Sequence, residues 1–228
     1  SNEVFDRPAA ERGSLLVYAD REWEVVESEP SGEFVRYHIQ RPRDGRTQNL
    51  DLDLLGAYQR KNILTVRTAV SLLRHQTPLN ISTRALVEGV RCVTSTTGLM
   101  GRWQKLGSSP AVYCDTGHNA HGLSEVVAQI RQQHYDKLYM VIGMVSDKDF
   151  DAVIPLMPHE AYYLFTAASV ARSLPAEQLA DKFLHEGFRG EVAPDVHSAY
   201  RRAIELASPD DLVFVGGSTF VVADLLSE

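Results

Sequence analysis

The stretch Gly101-Arg102-Trp103-Gln104-Lys105-Leu106-Gly107-Ser108-Ser109-Pro110-Ala111-Val112-Tyr113-Cys114-Asp115-Thr116-Gly117-His118-Asn119-Ala120-His121-Gly122-Leu123 decides the fold. Ala111–Cys114 is a short apolar run suited to a buried strand. Asp115-Thr116-Gly117-His118-Asn119 follows it with five polar or glycine positions in a row. Val126, Val127 and Ile130 then recur at the spacing of one helix face. A strand, a polar turn and a helix make the α/β arrangement in which ligands sit at the carboxyl ends of strands.

The turn has its own chemistry. Asp115 is an acceptor that could meet a ribose hydroxyl, orient a histidine or hold a cation. His118 can donate, accept or carry charge near neutral pH. Asn119 can bind a ligand or cap the following helix. Arg102 offers a planar fork to phosphate or carboxylate. The plain alternative is a capped helix with a surface arginine, and each residue taken singly fits it. Five such positions directly after a buried strand favour a site.

Strands alternate with helices downstream. The strand candidates are Ala111–Cys114, Leu138–Ile142, Ala161–Phe165, Gly190–Val192 and Leu212–Val215. Helices are expected near Gly122–His134, Phe150–Leu156, Pro175–His185 and Ser198–Ala207, with a last one from Ser218. This spacing implies a mostly parallel sheet flanked by helices, a Rossmann-like α/β domain. Polar groups recur at the strand ends: Asp147-Lys148-Asp149, Ser169 to Arg172, and Gly216-Gly217-Ser218. Asp149 and Ser218 can each be read as a plain helix cap. The two glycines would let backbone approach a ligand.

Upstream the pattern differs. Residues Ser1 to Gly13 are polar and read as irregular, with Ser1-Asn2 a candidate tag remnant. Leu15–Tyr18, the Trp23–Val26 region, Phe34–Ile39 and Asn49–Leu54 read as strands of a small antiparallel sheet, with Asp44-Gly45 at the centre of a turn. Gly56–Arg74 is helical in pattern, with Ile63, Val66, Val70 and Leu73 as its apolar stripe. Ser82–Val90 is a second helix, capped by Ser82 or Thr83. The domains divide as 1–93 and 94–228.

A net charge of −7 argues against a general nucleic-acid binder. The two cysteines, Cys92 and Cys114, provide neither a disulfide framework nor a zinc signature, and Cys114 reads as a buried thiol. No apolar run approaches the ~20 residues of a membrane span, and the chain opens polar and charged, which gives a cytoplasmic reading. No G-x-x-x-x-G-K-[ST] loop occurs.

Four stretches in order carry a resemblance: Leu55-Gly56-Ala57-Tyr58-Gln59-Arg60-Lys61-Asn62, then GRWQ with DTGHN, then Gly143 through Asp147-Lys148-Asp149, then Gly216-Gly217-Ser218-Thr219-Phe220. Together they resemble the C-terminal part of folylpolyglutamate synthase/dihydrofolate synthase, within the Mur ligase superfamily. The resemblance implies an ATP-dependent ligase that adds L-glutamate to dihydropteroate or a folate through an acyl phosphate. It implies that residues 1–93 are the tail of a central ATPase domain. The phosphate loop and the magnesium ligands would then lie outside this chain, leaving it inactive alone. It implies nucleotide contacts for Asn62 (base), Arg102 (phosphates) and Asp115 (ribose). His118 is implied as the catalytic and glutamate-binding residue and Ser218 as a substrate contact, with no metal ligand in this chain. The full-length enzyme would be a monomer acting on small molecules. A peptidoglycan amino-acid ligase and a non-catalytic binding module are the alternatives.

Overall fold

The computed structural model describes residues 3–227. The chain forms two compact units. One runs to Leu54 and resumes over Tyr58–Gly98; the other comprises Leu55–Ala57 and everything described from Leu99 on.

The first unit is built on an antiparallel meander of β1 (Glu24–Ser31), β2 (Phe34–Arg41) and β3 (Arg46–Leu52). The expected Asp44-Gly45 turn joins β2 to β3, and Gly45 N–H reaches Arg41 O at 2.9 Å. Tyr37, Ile39, Leu50 and Leu52 alternate onto the buried face. Helix α3 (Gln59–Gln76) covers that face, and α4 (Thr83–Arg91), capped by Ser82 as expected, packs beside β3. The short α5 (Val93–Thr97) stays with this unit, where Thr94 gives its N–H (2.8 Å) and its hydroxyl (2.6 Å) to Asp53.

Three expectations for this unit are corrected. Residues Glu3–Glu11 are a helix, α1, with Arg7 and Glu11 paired one turn apart, while Ser1-Asn2 lie outside the described residues. Leu15–Tyr18 is not a strand: it belongs to neither sheet, and a short helix α2 (Ala19–Glu22) follows it. The buried row of α3 is Gln59, Ile63, Leu64, Arg67 and Thr68, whereas Val66 and Leu73 are exposed. The helix is turned this way because the Arg67 guanidinium lies 4.3 Å over the buried Trp23 ring.

The second unit is a six-stranded sheet in the order β4 (Gln104–Ser108), β5 (Ala111–Asp115), β9 (Leu212–Gly216), β6 (Leu138–Ile142), β7 (Tyr162–Phe165) and β8 (Arg189–Val192). All pairings are parallel except β4 with β5. The sheet is therefore mostly parallel, as expected, with an antiparallel edge strand that lacks apolar alternation. Its helices are α6 (Ala120–Ile130), α7 (Phe150–Val153), α8 (Ala176–His185), α9 (Val196–Leu206) and α10 (Thr219–Leu226). The expected Phe150–Leu156 helix is α7 followed by a 3-10 turn containing Pro155. Helices α6 to α8 share one core with Met140, Ile142 and Phe214, whereas α9 and α10 share the opposite core with Val141, Val213 and Val215. Leu55–Ala57 joins this unit through Gln129 of α6, which accepts Ala57 N–H (2.7 Å) and donates to Leu55 O (3.1 Å). Among the described residues no helix is long and apolar enough to cross a membrane.

The centre of the first core is aromatic. Phe183 is fully buried, with ring centroids 5.1–5.4 Å from Phe188, Phe165 and Tyr163. Phe183→Ala is expected to destabilise the second unit by about 3–5 kcal/mol, from lost burial and the cavity left behind. Denaturant unfolding followed by far-UV circular dichroism checks this.

Candidate functional site

Parallel pairing brings the carboxyl ends of β5, β9 and β6 side by side. Asp115 stands opposite Gly216, and Gly216 opposite Ile142. The chain leaves β5 and β6 toward helices on one face and leaves β9 toward α10 on the other. Strand ends whose connections diverge in this way open the crevice where α/β sheets hold ligands.

Asp115 is 2% exposed. One carboxylate oxygen accepts Trp103 N–H at 2.7 Å and the other accepts Gly117 N–H at 2.7 Å. It therefore does not stand open in the cleft, as its place in the sequence suggested. It joins the Gly101–Gln104 turn to the turn after β5. Thr116 N–H adds a bond to Gly101 O (2.9 Å), and Gly101 N–H closes onto Gln104 Oε1 (2.8 Å). Trp103 takes a left-handed φ of 49°, unusual for a bulky residue. Its buried ring stacks on Tyr113 at a centroid distance of 4.8 Å. Gly101, at φ 71°, has room for no Cβ: one would lie 2.7 Å from Val222 Cγ1 and 2.9 Å from Thr116 Cγ2.

This framework leaves Arg102 as the exposed side chain of the turn. No hydrogen bond or ion pair engages its guanidinium among the described residues. His118 is exposed, and its Nδ1 lies 3.0 Å from Thr116 O. A carbonyl only accepts, so Nδ1 is the donor in this bond, and a neutral ring would then present its acceptor at Nε2. Asn119 caps α6, as expected, by accepting Gly122 N–H at 2.8 Å. Ser218 is buried and caps α10, with its hydroxyl oxygen accepting Phe220 N–H at 3.2 Å. Thr116 Oγ1 is buried without a hydrogen-bond partner.

Gly216 has an internal reason to be glycine. A Cβ there would lie 2.6 Å from the Phe214 ring and 2.7 Å from Asp115 O. Close packing of strand ends thus requires it without any ligand. The loops after β6 and β7 are tied by Ser146 N–H to Arg172 O (3.0 Å) and Leu174 N–H to Met144 O (2.9 Å). Arg172 and Asp147 form an exposed 3.3 Å pair, of the kind worth little to stability. Asp149 caps α7. Cys114 is fully buried, and burial first, then the Asp115 charge, pushes its thiol up to about 12, so it is not a nucleophile.

The second unit therefore gathers Arg102, Asp115, His118 and Ser218 on neighbouring strand ends. Asn62 belongs to the first unit, on the first turns of α3, where its amide nitrogen donates to Gln59 Oε1 at 2.8 Å. Sequence reasoning gave no role to Trp103 or Gln104. Their adjacency to the glycine and arginine of GRWQ was the available signal. Among the described residues no three His, Cys, Asp or Glu side chains converge as metal ligands.

The sequence profile of the Mur ligase glutamate ligase domain matches residues 101–219, more than half of the chain. The chain belongs to this family. A probable bifunctional folylpolyglutamate synthase/dihydropteroate synthase of Haloferax volcanii is 33% identical over 79% of this chain and 21% of its own length. The dihydrofolate synthase/folylpolyglutamate synthase of Escherichia coli is 28% identical over 96% of this chain and 47% of its own. A bifunctional folylpolyglutamate synthase/dihydrofolate synthase solved with Mn, AMPPNP and L-glutamate superposes with a TM-score of 0.74 at 26% identity, covering 98% of this chain and 50% of that one. The chain thus spans half or less of the lengths of these relatives.

Replacing Asp115 tests the framework. Asp115→Asn keeps the shape but sets an NH2 group against one backbone N–H, and Asp115→Ala leaves both donors buried and unmet. Each is expected to destabilise the second unit by about 1–3 kcal/mol, Ala more than Asn. Unfolding midpoints equal to the wild type would show that the carboxylate does not hold the turn.

Proposed function

We propose that this chain supplies the glutamate-ligating part of an ATP-dependent ligase that joins L-glutamate to dihydropteroate or to a folate carboxylate. The supporting observation is the unengaged Arg102 guanidinium on a turn fixed by buried Asp115, beside His118 and the Ser218 turn, in a member of the glutamate ligase domain family. The relatives' names and the nucleotide and glutamate in a solved relative support the substrate classes.

In this reading the acceptor carboxylate takes the γ-phosphoryl group of ATP, giving an acyl phosphate and ADP. The glutamate amine attacks the carbonyl carbon, and phosphate leaves as the amide forms. Arg102 contributes fixed positive charge to the phosphate oxygens. His118 Nε2 accepts a proton from the incoming ammonium, because Nδ1 is already committed to Thr116 O. The Ser218 hydroxyl proton, which no acceptor takes among the described residues, remains available to a substrate carboxylate. A ribose hydroxyl at Asp115 would have to share the carboxylate with two backbone donors. Asn62 is assigned to the nucleotide base. The first unit serves as the tail of the ATPase domain. Magnesium, which neutralises phosphate charge when bound, belongs with the phosphate loop and not with these residues. The setting is the cytoplasm, and the full-length enzyme acts as a monomer.

Two outcomes follow. The purified 228-residue chain is expected to show neither ATP hydrolysis nor glutamate ligation, since it has no phosphate loop. In the full-length ligase, Arg102→Ala is expected to lower kcat/KM for ATP by about tenfold to a hundredfold, in line with the ~1.5–3 kcal/mol of a charge-assisted hydrogen bond, and Arg102→Lys by less. Wild-type kinetics for both variants would remove Arg102 from the site.

A further inference from the structure

The first unit holds a second concentration of positive charge that the ligase reading does not use. Arg67 is 5% exposed, and its partners are neutral: Nε donates to Gln48 Oε1 at 2.8 Å, and Nη1 donates to the Ser71 hydroxyl. Among the described residues no carboxylate pairs with it. Arg74 lies seven residues on, two turns along the same face of α3. Its Nε donates to Ile81 O, and its Nη2 is buried with no partner. The Gln48 amide, held against Arg67 through its oxygen, likewise has a buried Nε2 with no partner.

The neighbouring acids are already taken. Asp44 pairs with Arg41, and Glu22 lies 3.9 Å from Arg43. Burial first, then the charges of Arg74, Arg46 and Arg41, brings Arg67 down to about 10. The Trp23 ring meets one face of the Arg67 guanidinium, which accounts for its burial, while Arg74 Nη2 and Gln48 Nε2 remain unmet. A buried unpaired guanidinium donor and a buried unpaired amide donor are each costly unless an acceptor joins them. Gln48 and Arg74 are only half-buried, so the cluster opens to solvent at one edge.

We propose that Arg67, Arg74 and Gln48 form an oxyanion site in the first unit, which takes a phosphate or carboxylate group onto the unpaired N–H donors of Arg74 and Gln48. Arg74 Nη2 and Gln48 Nε2 are the donors left over once Arg67 Nε and Nη1 and Arg74 Nε have met their partners, and an oxygen of either anion can accept from them. The site is independent of the strand-end residues of the second unit and does not rest on the ligase reading.

The test uses the 228-residue chain, titrated with inorganic phosphate and separately with acetate at constant ionic strength set by chloride. The readout is the NMR shift of the Gln48 side-chain amide and of the Arg67 Nε–H. Saturable shifts are expected with at least one anion, and the one that saturates at lower concentration identifies the ligand class. Arg74→Gln, at a half-buried helix position, should weaken that binding by about tenfold. Arg67→Met should abolish it; if that variant fails to fold, Arg74→Gln decides alone. Shifts that do not saturate, that chloride reproduces, or that persist unchanged in Arg74→Gln overturn the site.

Discussion

The carboxylate of Asp115 is the interaction on which the strand-end geometry depends. It is a charge placed at the end of a buried strand, and it is stable there because two backbone N–H groups meet it at 2.7 Å. One donor, Trp103, precedes the strand hairpin and the other, Gly117, follows the strand. A single side chain thereby closes a loop of backbone around the edge of the sheet. The left-handed Trp103, the glycine at 101 and the ring stack on Tyr113 all follow from that closure. Its product is an arginine displayed in solvent on a turn held by several hydrogen bonds. Electrostatic stabilisation of a transferring phosphoryl group needs a charge that is in place before reaction.

The same constraint separates positioning from contact. Asp115 and Gly216 look like ligand residues in the sequence, yet each has a full set of internal neighbours. Arg102 and His118, read from the sequence as a phosphate contact and a substrate-binding residue, are both exposed. In the proposed ligase reading, a variant at either class is expected to lower activity. Only the first class would also lower stability, so paired kinetic and unfolding measurements can assign each residue.

Much of the fold was legible from the sequence because the parallel strands other than β8 are nearly continuous apolar runs. Leu138–Ile142 is recovered to the residue, and the helix caps at Ser82, Asn119, Asp149 and Ser218 all accept the expected N–H groups. Strand β4 was not legible, because Gln104-Lys105-Leu106-Gly107-Ser108 is an edge strand with no apolar alternation, specified by its antiparallel partner. Helix α1 buries nothing, so it has no hydrophobic signal. The rotation of α3 depends on a cation stacked on Trp23, a long-range contact that periodicity cannot report. For the candidate site, residue types and spacing pointed to the turn after β5. They could not show that Asp115 faces backbone, since a carboxylate facing a ligand and one facing N–H groups are spelled alike.

The ligase assignment turns on the fate of one oxygen atom. The full-length protein containing this sequence would be given ATP, L-glutamate and a folate or dihydropteroate whose acceptor carboxylate carries oxygen-18. Transfer through an acyl phosphate predicts one amide and one ADP per turnover, with one labelled oxygen carried from the carboxylate into the released phosphate. Amide formation with release of AMP and pyrophosphate, or phosphate without the label, would contradict it, as would no amide at all.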